Sequence, residues 1–169
     1  MSKHDLTVIG ISGGARPFRV AASATRFYAG EPINFAGSYS SGVASVNTVV
    51  VLTDGKPVIG TDNFVGIAAK DAAVDSASTV TAHETQVIVP IPEITLIRGK
   101  AKVTTSVDTD SELLGVLWDV VLFDLTTAVY TIDETAAADT SGLKIVDGVI
   151  SKGQLDVVVD VRAMRADIS

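Results

Sequence analysis

The stretch Asn47-Thr-Val-Val-Val-Leu-Thr53, followed by Asp54-Gly55-Lys56-Pro57 and Val58-Ile59-Gly60, gives the clearest indication of the fold. β-branched residues favour strands, and an Asp-Gly pair supplies the positive φ angles that a tight hairpin turn needs. Residues 143–150 repeat the pattern around Asp147-Gly148. Both stretches predict β-hairpins.

The same alternation of short β-branched runs with Gly, Asp, Asn, Ser and Pro extends over most of the chain. It predicts about ten strands, among them residues 6–11, 31–35, 64–68 and 155–161. The last run alternates little, which predicts burial on both faces. Residues 110–114 are the one helical candidate, with Asp or Ser as its cap. We therefore predict an all-β fold, a single β-barrel or sandwich domain.

The first thirty residues are less regularly patterned and contain the Gly13-Gly14 break. We predict an extended N-terminal arm over residues 1–30 and a β-barrel-like domain over residues 31–169. Trp118 and Phe123 are expected to pack in the core, with an interface anchor as the alternative for Trp118, because tryptophan is enriched at binding hot spots. The candidate interface residues are Arg16, Phe18, Arg19, Arg26 and Trp118.

Composition excludes several classes of function. The net charge is −7, which disfavours nucleic acid as a partner, because phosphate contacts dominate that affinity. No apolar run approaches the roughly 18–20 residues of a membrane helix, so no membrane partner is expected, and residues 1–5 do not resemble a signal peptide. The chain has no cysteine, which removes disulfides and thiolate sites and fits folding in a reducing cytoplasm.

Hydrophobic residues make up 47% of the chain, which is high for a protein without a membrane span. This excess predicts strands buried on both faces or a subunit interface, and thus a homo-oligomer, either a dimer or a trimer.

No set of residues predicts catalysis, a cofactor or a metal. The two histidines are His4 and His83, and no Gly-x-Ser-x-Gly segment presents a nucleophile to either. Asp108, Asp110 and Glu112 alternate as calcium ligands can, but the other EF-hand positions are missing, so a solvated turn with a helix cap is expected. The spacing of the remaining acidic candidates favours no acid–base pair. These candidates are Glu31, Glu84, Glu93, Asp124 and Asp133. The chain is therefore not expected to be an enzyme.

The segment Asp54-Gly-Lys-Pro-Val-Ile-Gly-Thr-Asp-Asn-Phe-Val-Gly-Ile-Ala-Ala-Lys70 resembles part of the capsid decoration (cement) proteins of tailed bacteriophages and related virion proteins. Residues 120–132 and 142–161 resemble later segments, so the similarity spans roughly residues 30–161. The family implies a small β-barrel or β-tulip that binds the major capsid protein on the capsid exterior. It implies synthesis in the host cytoplasm and no active site.

Two alternatives belong to other classes. A phage tail or surface adhesion module that binds a host glycan or protein would need an exposed aromatic cluster, for which Phe27, Tyr28, Phe35 and Tyr39 are the candidates. A hydrolase on a β scaffold would need histidine and carboxylate side chains that converge.

Overall fold

Strands dominate the computed structural model, which describes residues 6–20, 26–35, 48–73, 84–126, 129–136 and 138–164. These residues contain thirteen strands and one α-helix, so the all-β prediction is confirmed. The elements are β1 (Thr7–Ile9), β2 (Ala15–Val20), β3 (Arg26–Phe27), β4 (Pro32–Phe35), β5 (Thr48–Val51), β6 (Phe64–Ala68), β7 (Ala72–Ala73), β8 (Glu84–Ile88), β9 (Leu96–Lys100), α1 (Asp110–Val116), β10 (Val120–Thr126), β11 (Val129–Asp133), β12 (Leu143–Val149) and β13 (Gln154–Val159).

Six antiparallel strands form the first sheet, in the order β1-β9-β13-β12-β10-β11. Ile97 of β9 lies opposite Val8 on one side and Val157 on the other. A further bridge joins Ala101, directly after β9, to Ile132 of β11. The sheet therefore curls until its last strand returns beside the end of β9.

The second sheet has the order β2-β5-β4-β6-β8, and β8 pairs again with β2, so the ring of hydrogen-bonded strands closes. Its neighbours are antiparallel except β2 and β5, which run parallel. The short strands β3 and β7 pair with each other as a separate ribbon. Since β2 to β8 lie in the chain between β1 and β9, the second sheet is an insertion within the first.

Strand β6 separates two hydrophobic cores and is buried along its whole length. Phe64 and Ile67 pack in the larger core under the first sheet, while Val65 and Ala68 pack in the smaller core of the second. The Phe64 ring lies 6.1 Å from that of Phe123. The prediction for residues 64–68 is therefore confirmed, as is the burial of β13, where five consecutive residues are buried.

Within the first thirty residues, the described segments belong to the two sheets and are not a free arm. β1 pairs with β9 over three residues, and β2 pairs with β8 over five. The Gly13-Gly14 segment also lies against the protein, since the Gly13 N–H donates to the Val89 carbonyl at 2.8 Å. Backbone hydrogen bonds hold these segments even though their side chains show little periodicity. The predicted boundary at residue 30 therefore has no counterpart in the strand pairing.

The hairpin predicted around Asp54-Gly55 is wrong. β5 pairs with β4 and β2, and residues 58–60 form no strand. The turn instead reaches the first sheet: Lys56 forms a bridge with Phe123, and the Asp54 carboxylate accepts a hydrogen bond from the Leu125 N–H at 2.7 Å. Contacts with the other sheet thus decide the direction of the chain after the turn.

The hairpin predicted at Asp147-Gly148 is also displaced. β12 continues through both residues to Val149, with a register shift between Ile145 and Asp147. The chain reverses later, in a 3-10 turn that ends at Gly153, whose φ is +57°. The register shift is a β-bulge, in which Val146 is the one extra residue of β12.

Candidate protein-binding surface

Helix α1 begins at a capping box that the sequence encodes as Thr109-Asp-Ser-Glu112. The Glu112 N–H donates to the Thr109 hydroxyl at 3.3 Å, and the Glu112 carboxylate accepts from the Thr109 N–H at 3.0 Å. Such reciprocal bonds satisfy two backbone donors that a helix start otherwise leaves unpaired. Leu113 then packs against the larger core, which leaves Leu114 on the opposite side.

Trp118 follows the helix with its side chain turned to solvent. Its side chain is 66% exposed and that of Leu114, four residues earlier, is 68% exposed. The backbone is fixed on β12, since the Trp118 N–H donates to the Ile145 carbonyl at 2.8 Å and the Ile145 N–H donates to the Asp119 carbonyl at 3.0 Å. Two large apolar side chains are therefore held outward on a firmly attached backbone. Phe123, in contrast, is in the core as predicted.

The backbone of Trp118 has a φ of +74°. A residue with a Cβ atom pays about 1–2 kcal/mol for this left-handed conformation, which glycine adopts without penalty. The exposed indole recovers little of that cost by burial in the isolated chain. Strained positions of this kind concentrate at binding sites.

Several carboxylates lie close to this pair of residues in the sequence. The chain from residue 103 to residue 120 contains Asp108, Asp110, Glu112 and Asp119 and no lysine or arginine. A hydrogen bond from the Thr109 hydroxyl lowers the pKa of Glu112, whereas a hydrogen bond with Glu112 raises the pKa of Asp108. We call Leu114, Trp118 and these four carboxylates the acidic knob.

The other candidate interface residues lie on the second sheet and on the β3–β7 ribbon. Arg16 is exposed on β2, opposite Val87 of β8. Phe18 is half-buried and packs edge-on against Phe35, with ring centroids 5.8 Å apart, at the border of the smaller core. Arg19 lies in β2 and Arg26 in β3, and their side chains are outside the described structure. Arg16 and Phe18, whose side chains are described, therefore lie on a different sheet from the strand β12 to which the Trp118 backbone is bonded.

The aromatic cluster of the adhesion alternative is only partly described. Phe35 is half-buried against Phe18, and Tyr28 is half-buried with its N–H donating to the Glu31 carboxylate at 2.9 Å. The Phe27 side chain and Tyr39 lie outside the described residues. Phe35 thus serves packing at the border of the smaller core.

Two carboxylates that seemed unrelated in the sequence meet around one lysine. The Lys102 ammonium lies 2.8 Å from Asp124 and 2.7 Å from Asp133. Burial is the largest influence and would raise the pKa of both carboxyl groups. The hydrogen bonds and charge of Lys102, together with hydrogen bonds from Thr126 to Asp124 and from Thr135 to Asp133, outweigh it and hold each pKa below its ordinary value. The bonds between Lys102 and the two carboxylates also raise the pKa of Lys102. All three groups are therefore charged at neutral pH and hold the end of β9 to the β10–β11 hairpin.

Glu134 completes this attachment. Its two carboxylate oxygens accept from the N–H groups of Lys102 and Val103, each at 3.0 Å. In the sequence, Asp124 and Asp133 are only scattered acids, since the lysine that joins them lies 22 residues before Asp124 and 31 residues before Asp133.

Within the described residues, no three His, Cys, Asp or Glu side chains form a group that could hold a metal ion. The alternating acids Asp108, Asp110 and Glu112 end in the capping box, as expected for a helix cap. Both His4 and His83 lie outside the described residues.

No helix in the described part of the chain combines the length and the apolar character needed to cross a membrane. The chain matches no protein-family model, no curated protein and no solved structure.

Proposed function

We propose that this protein is a virion structural protein of the decoration (cement) class, which binds the outer surface of a capsid lattice and stabilises it without catalysis. The observation that most supports a binding role is Trp118, exposed on a backbone that is strained for any residue with a side chain. Tryptophan contributes more than most residues to binding when a partner buries it. A protein surface with a matching apolar pocket would remove the exposed indole from water.

The charge of the acidic knob indicates the chemistry of the partner. Four carboxylates without a nearby lysine or arginine in sequence favour a pocket bordered by basic side chains. An arginine at that border could also stack on the indole. The acidic chain as a whole disfavours contact with packaged nucleic acid, which supports a position on the exterior.

The resemblance of residues 54–70, 120–132 and 142–161 to decoration proteins is what points to the major capsid protein as this partner. A capsid repeats the same pocket many times, and an oligomer of this chain that engages several pockets at once gains avidity. A ligand that binds only the assembled lattice stabilises it by mass action.

The test mixes the purified protein with undecorated capsids of the phage that encodes it, followed by pelleting. We expect co-sedimentation, and a higher temperature of genome release with the protein than without it. W118A should weaken binding by roughly 30-fold or more, as hot-spot residues do. V103A is the matched control, because Val103 is also an exposed apolar residue but lies on the segment bonded to Glu134, and its substitution should leave binding unchanged.

Two results would contradict the proposal. Wild-type protein that stays in the supernatant at micromolar concentration across moderate salt is not a cement protein, and binding to host cells instead would favour the adhesion alternative. If W118A binds capsids as well as the wild type does, the protein can still be a cement protein, but a surface other than the acidic knob makes the contact.

A further inference from the structure

A second exposed apolar surface lies on the outer face of the first sheet, opposite the larger core. Ile9 of β1 pairs with Leu96 of β9, and the register of β9 with β13 places Val158 next in the same row. Ile9 and Leu96 are half-buried and lie outside both cores, whereas Val158 is buried, with 4% of its surface exposed. They form an apolar row on the side of the sheet where soluble antiparallel sheets ordinarily carry polar residues.

Two exposed isoleucines extend this row beyond the strand ends. Ile11 is 70% exposed and Ile94 is 58% exposed. The buried Thr95 joins their segments, because its hydroxyl donates to the Ile11 carbonyl at 2.6 Å and accepts from the Ile91 N–H at 2.7 Å. Ile9, Ile11, Ile94 and Leu96 are called the outer patch below.

The turn that presents Ile94 is also strained. Glu93 has a φ of +59° and, with Trp118, is one of two non-glycine residues with positive φ in the described part of the chain. Its backbone is fixed by a hydrogen bond of 3.1 Å from its N–H to the Val159 carbonyl. Each of the two exposed apolar surfaces therefore contains or adjoins one non-glycine residue in the left-handed backbone conformation. Strain of this kind is typical of binding sites.

The charges around the outer patch differ from those of the acidic knob. Three ion pairs border it, each of one basic and one acidic side chain, and Asp147 is a further acid near Arg98. The pairs are Arg98–Asp156 at 2.6 Å, Arg162–Asp160 at 2.7 Å and Lys144–Glu93 at 4.0 Å. Acidic and basic side chains are thus nearly equal in number around the patch, although the net charge of the whole chain is −7.

We propose that the outer patch is a contact between two copies of this chain related by a twofold axis. A twofold contact places the same surface on both partners, so it must be complementary to itself. A border that carries both acidic and basic side chains meets that condition, because each acidic side chain can face a basic side chain of the other copy. The acidic knob fails it, since two copies would oppose like charges. This proposal does not depend on capsid binding.

Sedimentation velocity of the full chain over a range of concentrations tests the contact. We expect a monomer–dimer equilibrium in the wild type and at least a tenfold higher dissociation constant in I94K, because two lysines would be buried close to the axis. L114K is the matched control: it places the same charge on an equally exposed side chain of the acidic knob and should leave the dimer intact. Circular dichroism confirms that both variants are folded.

Cysteine variants locate the contact independently, because the chain has no cysteine of its own. Under mild oxidation, I94C should form a covalent dimer several times faster than L114C. The proposal is overturned if the wild type remains monomeric up to about 1 mM. It is also overturned if I94K associates as the wild type does, or if the two cysteine variants cross-link at the same rate.

Discussion

Arg98 of β9 and Asp156 of β13 lie directly opposite each other in the first sheet and form two parallel hydrogen bonds, of 2.7 and 2.6 Å. The carboxylate is almost fully buried, whereas 30% of the arginine side chain remains exposed. The planar guanidinium matches both carboxylate oxygens, which a lysine cannot do. Asp156 therefore depends on Arg98 for both of its side-chain oxygens.

Removal of Arg98 should destabilise the fold. R98A leaves a buried carboxylate without its cation, and we expect a loss of about 2–3 kcal/mol in the free energy of unfolding. A fully buried pair would lose about 3–5 kcal/mol, and the exposure of Arg98 reduces this. Urea unfolding at low protein concentration measures the change. R98K, which retains the charge, should lose less. A change under about 0.5 kcal/mol in R98A would show that water replaces the guanidinium.

The strain at Trp118 can be measured by a comparison of two variants. W118A and W118G both remove the indole, but only alanine retains a Cβ atom at a φ of +74°. We expect W118G to be more stable than W118A by about 1 kcal/mol, although glycine ordinarily destabilises folded chains. Thermal unfolding followed by circular dichroism tests this. If W118A is the more stable variant, the backbone at residue 118 is not strained.

Gly66 should not tolerate any side chain. A Cβ atom there would lie 2.1 Å from the Ile88 carbonyl oxygen, where β6 and β8 pair. Because the contact is with backbone, a rotamer change cannot relieve it, and G66A should lose more than about 4 kcal/mol or fail to fold. G60A is the control: Gly60 also has a positive φ, but a Cβ atom would meet nothing within 4 Å. It should lose about 1 kcal/mol. Equal stability of the two variants would contradict the clash.

The Lys102 cluster should make stability depend on pH in the acid range. Asp124 and Asp133 have a pKa below the ordinary 3.8, so the folded state binds fewer protons than the unfolded state. Their contribution is present above about pH 4 and is lost as the pH falls through the lowered values. K102M removes the part of this contribution that comes from the lysine, so the variant should be less stable than the wild type at pH 7. The difference in the free energy of unfolding between the two should shrink below pH 4. Urea unfolding at several pH values measures this. If the difference in the free energy of unfolding does not change with pH, Lys102 stabilises the fold by packing and not by its charge.

The parts of the fold that sequence predicted are those decided by local chemistry. Residues 64–68 are apolar throughout because β6 faces a core on each side. The helix at 110–116 follows from Thr109 and Glu112 at capping-box spacing, so the sequence already contained the cap, although Asp or Ser had been expected there.

The parts that were not predicted depend on distant residues. Asp54-Gly55 forms a turn, as its residue types predict. The direction of the chain after the turn is set by contacts with Leu125 and Phe123 on the other sheet. Trp118 lies two residues before β10, and local pattern does not distinguish a core residue from an exposed one at such a position. Helix α1 ends at Val116 and Leu117 is extended, so helical spacing does not indicate where the Trp118 side chain points.

The insertion of the second sheet between β1 and β9 has a consequence for the kinetics of folding. Ile9 pairs with Leu96, so β1 stays unpaired until its partner strand has been synthesised, about 90 residues later. At about 5–20 residues per second, this delay is roughly 5–18 s. The second sheet is complete at Ile88 and can form while β1 is still unpaired. We expect the high contact order of the first sheet to limit the rate of folding, with the closure of β1 onto β9 among the last steps.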